Sequence, residues 1–479
     1  VKQADLGYRL SAARNLGIRA ARHRNIAIID CDLIPLPNFI ESMMKYLHHF
    51  DHLVLLGHQR FVDPTGVSDE DILRDPTWLD RLPQIQSENT TMATSAGGEH
   101  TIDWRYELYA KTDNLKRDEY PFRAFSSGHV AYRKDLILRS GGYDEVFTFW
   151  GCEDNEAGYR LMLQGAYFVP VLEAIDLHQE PPGGQNETNR EKHRVISREL
   201  LQRKVPATRG WFGKGFVETP DMAPLVSVCI PTHNTGAYAV EAVASALAQQ
   251  GVSFEVIVYD DASTDGTPEL LRRHFGHDPR LRLIEARDHL HITWARQRLV
   301  EAARGEFVGF LDSDDLLEPH CLRECVARFR GRPNLGLLST GYVRIDESGA
   351  LLGDGWKPWK FDREGLMVGN VFTHFRIFRM RDWKRSRPWT RQELDHLRFG
   401  EDWDFCLRLA EVAEFDRVDL PLYRYRIRAS GITLQSTLAF KAAQARSVAT
   451  KWLGVLGRTD LRAITAHESQ PSRIDYVAR

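Results

Sequence analysis

Residues 307–319, Phe-Val-Gly-Phe-Leu-Asp-Ser-Asp-Asp-Leu-Leu-Glu-Pro, run from an apolar stretch into two aspartates, Asp312 and Asp314, and end on a proline that marks a helix start. The apolar part is continuous, as in a strand buried on both faces of a sheet. Carboxylates at i and i+2 on the end of such a strand can share one divalent cation, the oxygen-rich arrangement that Mg²⁺ or Mn²⁺ prefers. The same pattern occurs earlier. Residues 25–36, Asn-Ile-Ala-Ile-Ile-Asp-Cys-Asp-Leu-Ile-Pro-Leu, place Asp30 and Asp32 behind another apolar run. Ala13-Arg14-Asn15 precedes the first acidic pair by the same interval as Ala295-Arg296-Gln297 precedes the second. Equal spacing over a helix, a turn and a strand marks two copies of one domain type.

Composition narrows the function classes. A chain of 479 residues has room for more than one domain and an ample core. The net charge of −3 offers no basic excess for nucleic acid. No apolar run approaches the ~20 residues of a membrane span, and no signal peptide opens the chain. We therefore expect a cytoplasmic protein, with any association with the inner face of the cell membrane or a capsule-export complex being peripheral. The first residue is valine, so a fragment is expected. The six cysteines contain no Cys-x-x-Cys pair, and Cys321 and Cys325 share one helical face as packing residues.

In the first copy, residues 6–22 and 37–49 read as helices and Leu53–Gly57 as a buried strand. Residues 62–102 are polar and irregular, with Thr94–Gly98 expected to be flexible. Asp103-Trp104-Arg105, Thr112-Asp113-Asn114 and Pro121–Gly128 then mix aromatic, polar and glycine residues in the manner of a binding surface. Glu153 and Asp154 open a helix after Trp150-Gly151-Cys152, and Glu401 and Asp402 open another after Gly400. Acidic residues favour a helix N-terminus through the macrodipole, so capping explains either pair taken singly. Their recurrence behind each Asp-x-Asp points to a shared role. His178 follows a short strand, Phe168–Leu172, and taken singly reads as a surface residue.

The second copy is longer. Val226-Ser-Val-Cys-Ile-Pro-Thr-His-Asn is a parallel-type strand ending in a loop, followed by helix 237–249 and strand Glu255–Tyr259. That strand delivers Asp260 and Asp261 into a Ser/Thr/Gly loop before helix 267–275. This is a nucleotide-binding arrangement at strand C-termini, or else an ordinary helix cap by Ser263, Thr264 and Asp265. Strand Leu281–Glu285 and the helix carrying Arg296 lead to the acidic pair.

These motifs, Val-Ser-Val-x-Ile-Pro-Thr-x-Asn, Tyr-Asp-Asp-Ala-Ser-Thr-Asp-Gly-Thr, Asp-Ser-Asp-Asp and Glu-Asp-Trp-Asp, resemble those of a family-2 glycosyltransferase of GT-A fold. The first copy, with Ile-Asp-Trp-Arg, Thr-Asp-Asn-Leu, Pro-Phe-Arg-x-Phe-Ser, Trp-Gly-x-Glu-Asp-Asn-Glu and His-Gln-Glu-Pro-Pro-Gly, is similar to the bifunctional bacterial chondroitin-polymerase and two-domain hyaluronan-synthase type. The resemblance covers nearly the whole chain. It implies an α/β protein of two tandem GT-A domains with Rossmann-like mixed sheets, the first incomplete at its N-terminus. We expect residues 1–204 as that partial, hexosaminyl-transferase-like domain, a linker at 205–223, a complete glucuronosyl-transferase-like domain at 224–455 and a frayed tail at 456–479. Implied activity is inverting transfer from UDP-sugars to a polysaccharide or oligosaccharide acceptor of glycosaminoglycan type.

The resemblance also implies roles. Pro231, His233, Asp260, Asp261 and Arg296 would hold uracil and ribose, with Arg14 as the first-copy counterpart of Arg296. Asp312 and Asp314 would bind Mn²⁺ or Mg²⁺ across the diphosphate, and Asp30, Asp32 and His178 would do so in the first copy. Asp402 and Asp154 would be general bases. Trp104, Arg105, Asn114, Trp150, Glu153 and Glu401 would shape the acceptor and sugar sites. Two departures stand out. The stretch from Pro224 to Arg296 has no counterpart ahead of Arg14, so the first domain as written should bind UDP-sugar poorly, as a truncation or as a scaffold. And Arg428 stands where the family has a histidine; arginine does not ligate a metal but can pair with a diphosphate. Other readings are a monofunctional transferase acting on a capsule or surface glycan, a carbohydrate-binding scaffold, and a nucleotidyltransferase, which would typically carry a lysine in its phosphate loop.

Overall fold

In a computed structural model of the protein the chain divides into two units, Val1–Phe216 and Val217–Arg479. The structure describes residues 9–63, 65, 67–74, 77–78, 82–84, 90–95, 98–179, 190–212, 222–355, 360–370, 372, 374–397, 400–429, 437–467 and 470–478. The Glu-Pro-Pro-Gly run at 180–183 and the middle of the expected linker lie outside them.

In the second unit four strands rich in β-branched residues, β8 (Val226–Thr232), β9 (Phe254–Asp260), β10 (Leu281–Glu285) and β11 (Phe307–Phe310), pair in parallel in the order β10-β9-β8-β11. Every residue of β8, β9 and β11 is buried, which is why those segments read as unbroken apolar runs. The helix Ala237–Leu247 covers the sheet with Ala239, Ala242, Val243 and Ala246, one face at helical spacing. The sheet then turns mixed. After β11 come β15 (Arg376–Arg379), β13 (Leu335–Ile345), β16 (Glu414–Arg426) and β12 (Leu316–Leu317), with β14 (Leu351–Asp354) beside β13.

The first unit repeats that mixed part strand for strand. Its sheet runs β1 (Asn25–Ile29), β6 (His129–Arg133), β3 (Leu53–Val62), β7 (Tyr167–Gln179) and β2 (Leu33–Pro35). Neighbours are antiparallel, antiparallel, parallel and antiparallel, the sequence also found from β11 to β12. Among the described residues of the first unit no strands correspond to β8, β9 and β10.

Two expectations are corrected. Residues 90–103, read as irregular and partly flexible, form a hairpin of β4 (Thr90–Ser95) and β5 (Gly98–Asp103). The chain end is not frayed. The strands β17 (Leu461–His467) and β18 (Gln470–Ala478) pair and pack on the helix Leu438–Val455. Ile474 is wholly buried there, and the Tyr476 hydroxyl donates to the Met367 carbonyl at 2.7 Å. One apolar residue in a polar segment anchors the hairpin, a signal too sparse for periodicity to reveal. No helix among the described residues is long and apolar enough to cross a membrane.

Candidate functional site

Each unit brings its Asp-x-Asp and its Glu-Asp helix start together on one buried arginine. In the first unit Arg14 Nη1 donates to Glu153 at 3.2 Å and to Asp154 at 3.0 Å, while Nη2 reaches Asp30 at 3.2 Å. In the second, Arg296 Nη1 donates to Glu401 at 2.7 Å and Nη2 lies 3.4 Å from Asp312. Both arginines are buried. Their guanidinium groups thus clamp carboxylates within each site. Burial, more than the neighbouring aspartate charge, raises both Glu153 and Glu401 above the usual carboxylate range.

The helix starts themselves need left-handed backbone. Gly151 and Cys152 precede Glu153 at φ +95° and +71°, and Gly400 precedes Glu401 at φ +77°. The following aspartates then meet different partners. Asp154 is held by Arg14 and by a close hydrogen bond from the Ser127 hydroxyl. Asp402 accepts from Asn370 Nδ2 at 2.8 Å, Arg376 Nη1 at 3.0 Å and the Trp403 amide at 2.8 Å. Burial opposes its ionisation, but Arg376 and then Arg296 outweigh it and hold Asp402 below the usual carboxylate range.

At the metal end, His178 Nε2 stands 3.6 Å from Asp32, and His178 packs on Phe61 at 4.9 Å. A Cβ on Gly128 would come 2.4 Å from Asp30, so this position must be bare. In the second unit Arg428 Nη1 pairs with Asp314 at 2.9 Å and lies over the Tyr238 ring. Asp312, Asp315 and His374 converge, their ligand-capable atoms within 4.8 Å of one another. Burial first, and neighbouring carboxylates as well, raise Asp30 and Asp314 despite the arginines beside them. Two oxygens and an imidazole at each site fit a hard or borderline divalent cation.

At the C-terminal end of the parallel strands, Asp260 is buried, with Oδ2 accepting from the Ser263 amide at 2.9 Å and Oδ1 without a hydrogen-bond partner among the described residues. Such an atom is a ready acceptor for a ligand N–H or O–H. Asp261 does something else. Its carboxylate receives the Leu290 and His291 amides at 2.9 and 2.8 Å and faces His289 at 2.9 Å, so it fastens the 289–291 loop. Pro231 is buried in β8, while exposed His233 stacks on His289 with ring centres 4.0 Å apart.

Arg105 is buried, ion-paired with Asp103 and 2.6 Å from His129 Nε2. Trp104 is exposed, Asn114 sits exposed in a left-handed turn at φ +53°, and half-buried Trp150 has Arg194 over its ring. Residues that sequence reading missed are Ser127, Asn370, His374, Arg376 and Asp315. Arg376 and His374 lie in a His-Phe-Arg run whose first-copy counterpart is Gly-His-Val, so comparing the copies hid them.

A parallel half-sheet with an acceptor at its strand ends, joined to a mixed half-sheet carrying Asp-x-Asp and an acidic helix start, defines a GT-A glycosyltransferase. The chain belongs to glycosyl transferase family 2, whose model matches residues 3–126 and 227–384, more than half of it. A model described as the N-terminal domain of galactosyltransferase also matches residues 108–175. Similar relatives are a chondroitin synthase of Escherichia coli, 38% identical over 88% of this chain and 61% of that protein. A chondroitin synthase and a hyaluronan synthase of Pasteurella multocida are 35% and 34% identical, each over 88% of this chain and 43% of the relative. The chain thus spans less than two thirds of these relatives' length.

Proposed function

We propose that the chain transfers sugar from UDP-sugar donors to the non-reducing end of a glycosaminoglycan-like polysaccharide, with inversion, and that the second unit adds an acidic sugar of the glucuronic type. The observation that carries this reading is the duplicated site: the same five-strand order and the same arginine-linked carboxylates occur twice, in a chain similar to chondroitin and hyaluronan synthases. The second unit adds parallel strands and an open Asp260 oxygen that suit a uridine.

In the second unit, Asp402 takes the proton of the acceptor hydroxyl as its oxygen attacks the anomeric carbon. The bond from that carbon to the UDP oxygen breaks as the new one forms, so a single displacement inverts the centre. Asn370 and Arg376 fix the Asp402 carboxylate, and Arg296 holds Glu401 and Asp312 in register beside it. Arg428, beside Asp314, is placed to meet the diphosphate. A bound Mn²⁺ or Mg²⁺ would neutralise charge on the departing diphosphate. In the first unit Asp154, Asp30, Asp32 and His178 have the corresponding places for transfer of an N-acetylhexosamine. A second reading, in which the first unit serves as an acceptor-binding scaffold, draws on the missing counterparts of β8 to β10.

The test is UDP release from UDP-sugars with an oligosaccharide acceptor. Asp402→Asn should lower turnover about 10²–10⁴-fold, the usual worth of a general base. Undiminished turnover would remove Asp402 from the mechanism.

A further inference from the structure

The two units build their metal ends with the histidine on opposite sides. In the first, the strand pairing ends at Ile29–His129, and one residue on, Asp30 faces Gly128. The Asp30 amide donates to the Gly128 carbonyl at 2.9 Å, and the absent Cβ leaves room for the Asp30 carboxylate. The imidazole comes instead from β7, where His178 faces Asp32. In the second unit, two residues beyond the Phe310–Arg376 pair, Asp312 faces His374. On the other side, where the first unit has His178 against Asp32, Arg428 holds Asp314.

The His374 ring is fixed for ligation. It stacks on Tyr423 at 5.0 Å and 12° and on Tyr425 at 4.8 Å and 23°, and among the described residues neither ring nitrogen makes a hydrogen bond. Tyr423 organises the carboxylates as well: its hydroxyl donates to Asp315 at 2.6 Å and accepts from the Asp312 amide at 3.3 Å. Buried Asp315 receives that hydroxyl and the Arg426 amide, neutral donors both, which leaves lone pairs on each oxygen. Two carboxylates and one imidazole thus stand within 4.8 Å of one another, the donor types of the first unit drawn from other strands.

We propose that the second unit takes its divalent cation from Asp312, Asp315 and His374, and leaves Asp314 to Arg428. Strand register gives the His178 position to Tyr425, which stacks on His374; Arg428 pairs with Asp314 from beyond the strand, and His374, in the place of Gly128, supplies the imidazole. It rests on the second unit being a metal-assisted transferase.

The probe is Mn²⁺ with UDP, added to the full chain carrying Asp30→Asn and His178→Gln so that the first unit's ligands are removed. Pulsed electron paramagnetic resonance of the bound ion should show nitrogen hyperfine coupling from one imidazole. His374→Gln should abolish that coupling and weaken Mn²⁺ binding by at least about tenfold, the loss that even outer-shell changes produce, while Asp314→Asn keeps both. No nitrogen coupling, no bound Mn²⁺, or loss of binding with Asp314→Asn alone would each overturn the assignment. If His374→Gln fails to fold, the parent spectrum decides. Sugar transfer without nitrogen coupling would overturn this ligand set and spare the proposed function, whereas coupling without transfer from any UDP-sugar would do the reverse.

Discussion

At the scale of single residues, the proposed mechanism of the second unit turns on keeping one half-buried carboxylate, Asp402, charged. Asp402 faces Arg376 and Asn370 directly, with Arg296 and Glu401 beside it. Its proton affinity is depressed in the folded protein, so the base stays ionised as pH falls and transfer should persist down to unusually acid conditions. Arg376→Gln removes the largest favourable charge. The acid limb of the pH–rate profile should then move to higher pH, while a profile that only scales down in height would assign Arg376 a purely structural part. In the first unit the sensitive residue is Gly128. Gly128→Ala drives a methyl group into Asp30, so Mn²⁺ affinity there should fall with little change in the far-ultraviolet circular dichroism.

At the scale of elements, helix starts and strand ends place the chemistry. The helix Arg391–His396 opens with a reciprocal cap in which Thr390 and Glu393 satisfy each other's amides. Thr390→Ala should cost about 0.5–2 kcal/mol in denaturant unfolding. Burial works against ionised Glu393, but Lys451, the Thr390 amide and Arg408 outweigh it and bring it down to about 2. A depressed acid lends stability above its unfolded value that is lost as pH falls through the folded one. Glu393→Gln should therefore lower stability at neutral pH and flatten its decline between about 4.5 and 2. Most elements were legible because their burial is periodic or continuous: helix 267–275 and strand Leu281–Glu285 end where expected. The terminal hairpin was not, because a single buried isoleucine carries it. Nor was the true work of Asp261, whose partners are amides of a loop distant in sequence.

Across the whole molecule, duplication made the site readable and also limited the reading. Residues shared by both copies, Asp30 with Asp312 and Asp154 with Asp402, stood out by spacing. Residues that differ between the copies, His374 against Gly128 and Arg376 against Val130, were invisible to that comparison although they give the second unit its own chemistry. Arg14 and Arg296 were found, but their carboxylate partners were not, since spacing does not show which way a guanidinium turns. Transfer of the glucuronic-type sugar is assigned to the second unit, with Asp402 as its base. Donor-by-donor transfer tests it most directly, with chondroitin oligosaccharides of either non-reducing end, Mn²⁺, and UDP-glucuronic acid or UDP-N-acetylgalactosamine supplied singly. We expect glucuronic acid to be added to hexosamine-ended acceptors, lost with Asp402→Asn and kept with Asp154→Asn. Glucuronic acid transfer that survives Asp402→Asn would contradict the assignment.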